Sequence, residues 1–277
     1  MAMDVDLLGV AVAKWFEVRA KIARGLSRKT FAEYPAANAL HLDGAVVLRG
    51  FIPVNLIDAI NSLNERYFNF SDPSELVYSA DGKYLREVKG VSRKDAEQFY
   101  FLHLKNYHRK YNVYDFIIPA ISSALESYYR SNCYVRDVCC YRTQPIPSVQ
   151  GSYQWHVDNY PAGSLKVIVY LTDVTQETGP LKVALGSHIG FQPVLGGIGE
   201  RFEEEYVHRH FNIMDCLGPR GTVIIFNNNM IHRATDPVSG HRDVINFSVF
   251  PCVWSGRGGM RGVDLQETGR FLRKYTR

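Results

Sequence analysis

Three side chains in this sequence could grip one metal ion. His156 and Asp158 stand two positions apart in Gln154-Trp155-His156-Val157-Asp158-Asn159. On an extended strand such residues point to the same face. Two ligands fix no geometry, and a third is offered by His232, in Asn229-Met230-Ile231-His232-Arg233. Two imidazoles and one carboxylate on one side of a metal leave the opposite positions free, which is the ligand set of ferrous oxygen chemistry outside haem. His208 and His210 form a rival pair. Their surroundings read as helix, where i and i+2 lie on different faces. The remaining histidines read as surface or packing residues.

A cation stands near this set in sequence. Asp236-Pro-Val-Ser-Gly240 is turn chemistry between Ile231-His232 and Asp243-Val-Ile-Asn-Phe. The chain is therefore expected to double back and put Arg242 on the strand beside His232. Alternation groups Arg242, Val244, Asn246 and Ser248 on one face, with His241 on the other. A guanidinium so placed can clamp a carboxylate through two parallel hydrogen bonds.

These residues need elements to hold them. The chain has 277 residues, 46% hydrophobic and 22% charged, the composition of an ordinary soluble globular protein. A single domain over 1–277 is expected, with N-terminal elements in 1–130, a β core in 131–255 and a tail in 256–277. Helical spacing is read over 5–24, and Gly44–Gly50 reads as a strand. Pro53 opens a helix with Leu56, Ile57, Ile60 and Leu63 on one face, and Asp115 caps another that runs to about Tyr129. From Cys133 the texture changes. Short extended runs at Cys133–Tyr141, Lys166–Leu171, Leu181–Ala184, Thr222–Phe226 and Val244–Phe250, parted by turns, indicate a sandwich or barrel. Residues 190–215 read as one long insertion, helical around Glu200–Tyr206, and Leu265–Tyr275 as a last helix.

Several classes are disfavoured. Cys133, Cys139, Cys140, Cys216 and Cys252 show no CxxC and no regular spacing, against a disulfide framework. A reducing cytoplasm suits them, and suits ferrous iron. The N-terminus has no signal pattern and no run is long enough to cross a bilayer, so the expected location is cytoplasmic, with no membrane partner. The charge of +4 assigns no partner. Locally, 83–110 carries eight Lys or Arg against three acids. That tract reads as a solvated face or as a surface meeting an anionic small molecule. No nucleic-acid module accompanies it. Nothing fixes the oligomeric state.

Taken in order, Gln-Trp-His156-Val-Asp158, Leu171-Thr-Asp173, Glu177-Thr-Gly179-Pro180-Leu181-Lys-Val183, Gly186-Ser187-His188 and Met230-Ile-His232-Arg-Ala form a series. An arginine follows ten residues after the distal histidine. The series resembles the phytanoyl-CoA dioxygenase family over roughly residues 41–252. The resemblance implies a mainly β protein with flanking α-helices on a double-stranded β-helix (jelly-roll, cupin-like) core. It implies Fe(2+), 2-oxoglutarate and O2 as cofactors, with ascorbate as reductant in vitro. His156, Asp158 and His232 would hold the metal, and Arg242 the distal carboxylate of 2-oxoglutarate. Cys139 and Tyr141 stand where the family lines its pocket. Thr235 stands close to a small hydroxyl position of the family, although Ala234 occupies the more usual place. Lys166 and Tyr170 share a face of the next core strand, where the Tyr170 hydroxyl reads equally as a ketoacid contact or a core aromatic. Trp155, Asn159 and Asn246 are candidate substrate contacts, and Gly186-Ser-His188 reads as a structural turn.

The implied reaction is hydroxylation of an unactivated C–H bond of a small molecule, with release of succinate and CO2. A carboxylate at Asp158 favours this over halogenation, since related halogenases have a small residue there; desaturation and ring closure stay open. The competing readings are a cupin-like metalloenzyme without 2-oxoglutarate and a non-catalytic binding protein on the same fold. Segments 83–110 and 190–215 are the expected lid elements.

Overall fold

The computed structural model describes residues 34–68, 77–78, 99–102, 113–143, 145, 151–158, 163–189 and 201–252. The expected helices at 5–24 and 265–275, most of the basic tract and Asn159 lie outside these residues.

Helix α1 (Pro35–Leu42) opens on a proline, whose fixed φ suits a first turn. Gly44, at φ +82°, turns the chain into β1 (Ala45–Leu48). Helix α2 (Val54–Phe68) follows Pro53 and buries Ile57 and Ile60. Two short strands come next, β2 (Val77–Tyr78) and β3 (Phe99–Leu102). Helix α3 (Val113–Tyr129) begins two residues before Asp115, which therefore lies in the first turn and is not the cap. An acidic side chain is favourable at both places, so the signal was ambiguous by a few residues.

The rest is mostly strand: β4 (Asn132–Thr143), β5 (Trp155–His156), β6 (Leu165–Tyr170), β7 (Leu181–Ala184), β8 (Arg201–Phe202), β9 (Ile213–Cys216), β10 (Val223–Asn227), β11 (His232–Arg233) and β12 (Arg242–Cys252). One helix interrupts them, α4 (Glu204–His210). The segment 190–215 is thus only partly an insertion. Its described end supplies β8, α4 and most of β9, which pairs with β7 along its whole length.

The strands form two antiparallel sheets, a seven-stranded one in the order β1-β10-β6-β12-β4-β3-β2 and a five-stranded one in the order β8-β5-β11-β7-β9. This is the jelly roll. Strand alternation sorts the apolar residues into three layers. Val167, Val169, Ile225, Ile245 and Phe247 pack outward from the large sheet against Leu40, Ile57, Ile121 and Leu125 of the helices. Ile168, Tyr170, Val183, Ile224, Phe226 and Val244 fill the space between the sheets. Trp155, Ala184 and Ile231 pack outward from the small sheet against Val207 of α4. Among the described residues no helix is long and apolar enough to cross a membrane.

One expectation about connectivity is overturned. Arg242 opens β12 in the large sheet, whereas His232 lies on β11 in the small one. Residues 234–241 carry the chain from one sheet to the other and do not close a hairpin. Arg242 and His232 thus belong to facing sheets, not neighbouring strands. The proposed face is nonetheless preserved, because Val244 joins the inter-sheet cluster while Ile245 and Phe247 join the outer one.

Candidate metal centre

Two of the shortest strands carry the imidazoles. In β5, Trp155 turns outward and His156 inward; in the segment entering β11, Ile231 turns outward and His232 inward. The two strands are antiparallel with His232 directly opposite His156, and the ring centroids lie 4.4 Å apart. Asp158 follows as the chain leaves β5. Its Oδ1 is 3.5 Å from Nε2 of His156, and its Oδ2 is 3.6 Å from Nε2 of His232. One ligand atom from each residue falls within 4.8 Å of the others. Among the described residues this is the one cluster of its kind.

The tautomers are set by the backbone. Nδ1 of His156 lies 2.8 Å from the carbonyl of Gln154, and Nδ1 of His232 lies 2.9 Å from that of Met230. Each Nδ1–H donates to its carbonyl, so each Nε2 is left with a lone pair facing its neighbour. A metal-ligating histidine needs this arrangement. Burial, with the adjacent His156, pulls the pKa of His232 down to about 3, so the ring stays neutral. Burial alone would raise the pKa of Asp158. The ammonium of Lys166, which lies on the carboxylate, overrides it and holds the carboxyl well below the usual range. The cluster therefore offers two imidazole Nε2 atoms and a carboxylate oxygen, a donor set that fits a divalent metal with open positions.

Ser187 fixes the approach to His232. Its hydroxyl donates to the Ala184 carbonyl at 2.6 Å and accepts the N–H of Ile231 at 2.8 Å. His188 is no ligand. Its ring lies against Gly44, where any Cβ would overlap it, and its Nε2 is 3.3 Å from the His41 carbonyl. His208 and His210 sit on α4, His208 facing Glu204 at 2.8 Å and His210 the Tyr206 carbonyl at 2.7 Å.

Arg242 lies on the opposite wall, only 3% exposed. Its guanidinium donates to the carbonyl of Gly179 and, at 3.4 Å, to the hydroxyl of Thr143. Among the described residues no carboxylate pairs with it. A buried cation held only by neutral acceptors is costly until an anion joins it. A ligand carboxylate fits there. Gly179 cannot carry a side chain, since its φ is +75° and a Cβ would run into the Thr235 carbonyl. That accounts for the glycine in Glu177-Thr-Gly-Pro. The neighbouring Arg142 and Asp243 point to the other face and pair through two bonds, at 2.8 and 2.7 Å.

The other candidates divide. Lys166 turns inward as expected, but its ammonium lies on the Asp158 carboxylate. Tyr170 also turns inward; its hydroxyl donates to the Cys216 carbonyl at 2.6 Å, the core-aromatic alternative. Burial raises its pKa, and pushes that of the Cys216 thiol up to about 12, so both stay protonated. Tyr141 packs on the inter-sheet cluster, and Cys139 occupies the register position opposite Asn246. Thr235 Oγ1 and Asn246 Oδ1 are buried and find no hydrogen-bond partner among the described residues. Trp155 is not in the pocket. Next to an inward His156 it must face out, where its indole N–H meets Glu204 at 3.0 Å and Arg233 stacks 4.8 Å from the ring.

Sequence reasoning missed Thr143 and Tyr153. Thr143 follows Cys139 and Tyr141 at alternate positions of β4, so the same parity rule points to it. Tyr153 is buried near enough to feel the charges of Arg242 and Asp236. It sits on a single helical turn, Gly151–Tyr153, which leaves no periodic signature.

The fold has many counterparts among solved structures. EctD from S. alaskensis with 2-oxoglutarate and 5-hydroxyectoine shares 17% identity at a TM-score of 0.61, over 81% of this chain and 78% of that one. The carbocyclase SnoK, a non-heme alpha ketoglutarate dependent enzyme of nogalamycin biosynthesis, matches at 14% and 0.56 over 88% and 92%. The epimerase SnoN in complex with Fe3+, alpha ketoglutarate and nogalamycin RO matches at 13% and 0.55 over 78% and 82%. At such identities the likeness is one of fold. No curated protein matches in sequence. The profile of the phytanoyl-CoA dioxygenase family, however, matches residues 40–243, which include strands of both sheets, the metal cluster and Arg242, and the chain belongs to that family.

Proposed function

We propose that this protein is a non-haem Fe(II)- and 2-oxoglutarate-dependent oxygenase that hydroxylates an unactivated C–H bond of a small molecule. The observation that carries the reading is the pairing of a two-imidazole and carboxylate cluster on one sheet with a buried arginine, lacking a carboxylate partner among the described residues, on the other. The cluster alone would serve any cupin-like metalloenzyme, and only the arginine calls for an anionic cosubstrate. When bound, the iron with 2-oxoglutarate and O2 supplies the oxidising chemistry, giving succinate, CO2 and an oxygen atom for the substrate.

The residues of this chain have simpler tasks. His156 and His232 would present Nε2 to the metal, each ring kept in its tautomer by a backbone carbonyl. Asp158 would close the set on the same side and leave the far positions open. Arg242 would take the distal carboxylate of 2-oxoglutarate, with Thr143 and the Gly179 carbonyl holding the guanidinium flat. Ile168, Phe226 and Val244, buried together between the sheets, would give the space apolar walls and keep water out. Asn246, on the same face as Val244, would meet the substrate.

Anaerobic protein titrated with Fe(II) and then 2-oxoglutarate should develop the visible charge-transfer band of a chelated ketoacid. Aerobic turnover should release succinate, stimulated by a substrate from a small-metabolite library. A ketoacid that binds equally well without metal, or after His156→Ala, would sink the reading.

A further inference from the structure

Lys166 is an unusual neighbour for a metal carboxylate. Its strand β6 lies between β10 and β12, with Lys166 opposite Phe226 on one side and Ser248 on the other. The ammonium lies 5.8 Å from the centroid of the Phe226 ring, whose own centroid is 5.0 Å from that of His232. The lysine side chain is 13% exposed and that of Asp158 17%. A lysine is seldom this buried unless paired. Here it pairs with Oδ2 of Asp158, and Oδ1 remains for another cation.

From this geometry we propose that Lys166 is a positioning residue that shares the charge of Asp158 with the metal, weakening metal binding while strengthening binding of an anionic chelating cosubstrate to the loaded centre. The inference rests on the reading above. Two cations on one carboxylate repel each other, most strongly where water is scarce. The loaded site then keeps one more positive charge than its two histidines and one carboxylate would leave. An incoming dianion is attracted by that surplus. The ammonium also occupies the oxygen that would otherwise let Asp158 bind the metal through both.

The test uses the full chain with cobalt(II), anaerobically, followed by 2-oxoglutarate, with both affinities read from the visible cobalt spectrum. Lys166→Met should bind cobalt about tenfold tighter and the ketoacid, once loaded, about tenfold more weakly. Lys166→Arg should restore both values towards wild type. Lys166→Gln guards against a packing defect, since it must reproduce both shifts. Loss of both affinities in the Met and Gln variants, or movement of neither, overturns the role of Lys166 while the metal centre stands. A wild-type chain that binds no cobalt overturns the metal reading and this inference with it.

Discussion

The two walls of the inter-sheet space are built in opposite ways. The metal wall uses β5 and β11, two residues each, and an aspartate just beyond a strand end. The arginine wall uses β4 and β12, twelve and eleven residues long and paired along almost their whole length. Short strands let one carbonyl lock each imidazole and let Asp158 curl back towards both rings. Long strands hold Arg242 and Thr143 opposite each other in register, fixed on the outer face by the Arg142–Asp243 pair. A ligand cluster needs local geometry, while a buried cation set on long paired strands is held by the whole sheet.

That contrast can be broken by experiment. The largest effect is expected at the metal wall: His156→Ala or His232→Ala should remove measurable metal binding and lower turnover by more than about a thousandfold. Arg242→Met should leave the metal affinity intact and weaken 2-oxoglutarate about a hundredfold, the loss expected for one partner of a buried ionic contact. If Arg242→Met also lost the metal, the walls would not be separable.

Acidification should strike the metal wall in the metal-free protein. The pKa of His232 is about 3 when folded and about 6.5 when unfolded, so below pH 6.5 the unfolded chain takes up the proton first. Stability is therefore flat above that pH and falls below it, by about 2 kcal/mol between pH 8 and pH 5. Denaturant melts should show this slope, and His232→Gln should flatten it. Ser187→Ala strands the Ile231 amide and should cost about 1–2 kcal/mol, read in the same melts. Retained stability there would show that β11 needs no anchor from the β7 turn.

Face was legible in the sequence, and sheet was not. The period of two placed His156 with Asp158, Arg242 with Val244, and Lys166 with Tyr170. Parity says nothing about which sheet a strand joins, so Asp236–Gly240 read as a hairpin when it is a crossing. Trp155 was misread for want of the same rule that placed His156. The core strand β9 was hidden because it follows directly on the charged helix α4. The contact between Lys166 and Asp158 joins a strand of the large sheet to the chain just past a strand of the small one, and no local pattern encodes such a meeting.

The pairing of β5 carries one last consequence. Only its two residues join it to β8 on one side, and one residue joins it to β11 on the other. An ion gripped by His156 and His232 would brace the two strands far more firmly than their few amide bonds. Hydrogen exchange in this corner of the small sheet should therefore slow on loading, while amides of β12 stay as protected as before.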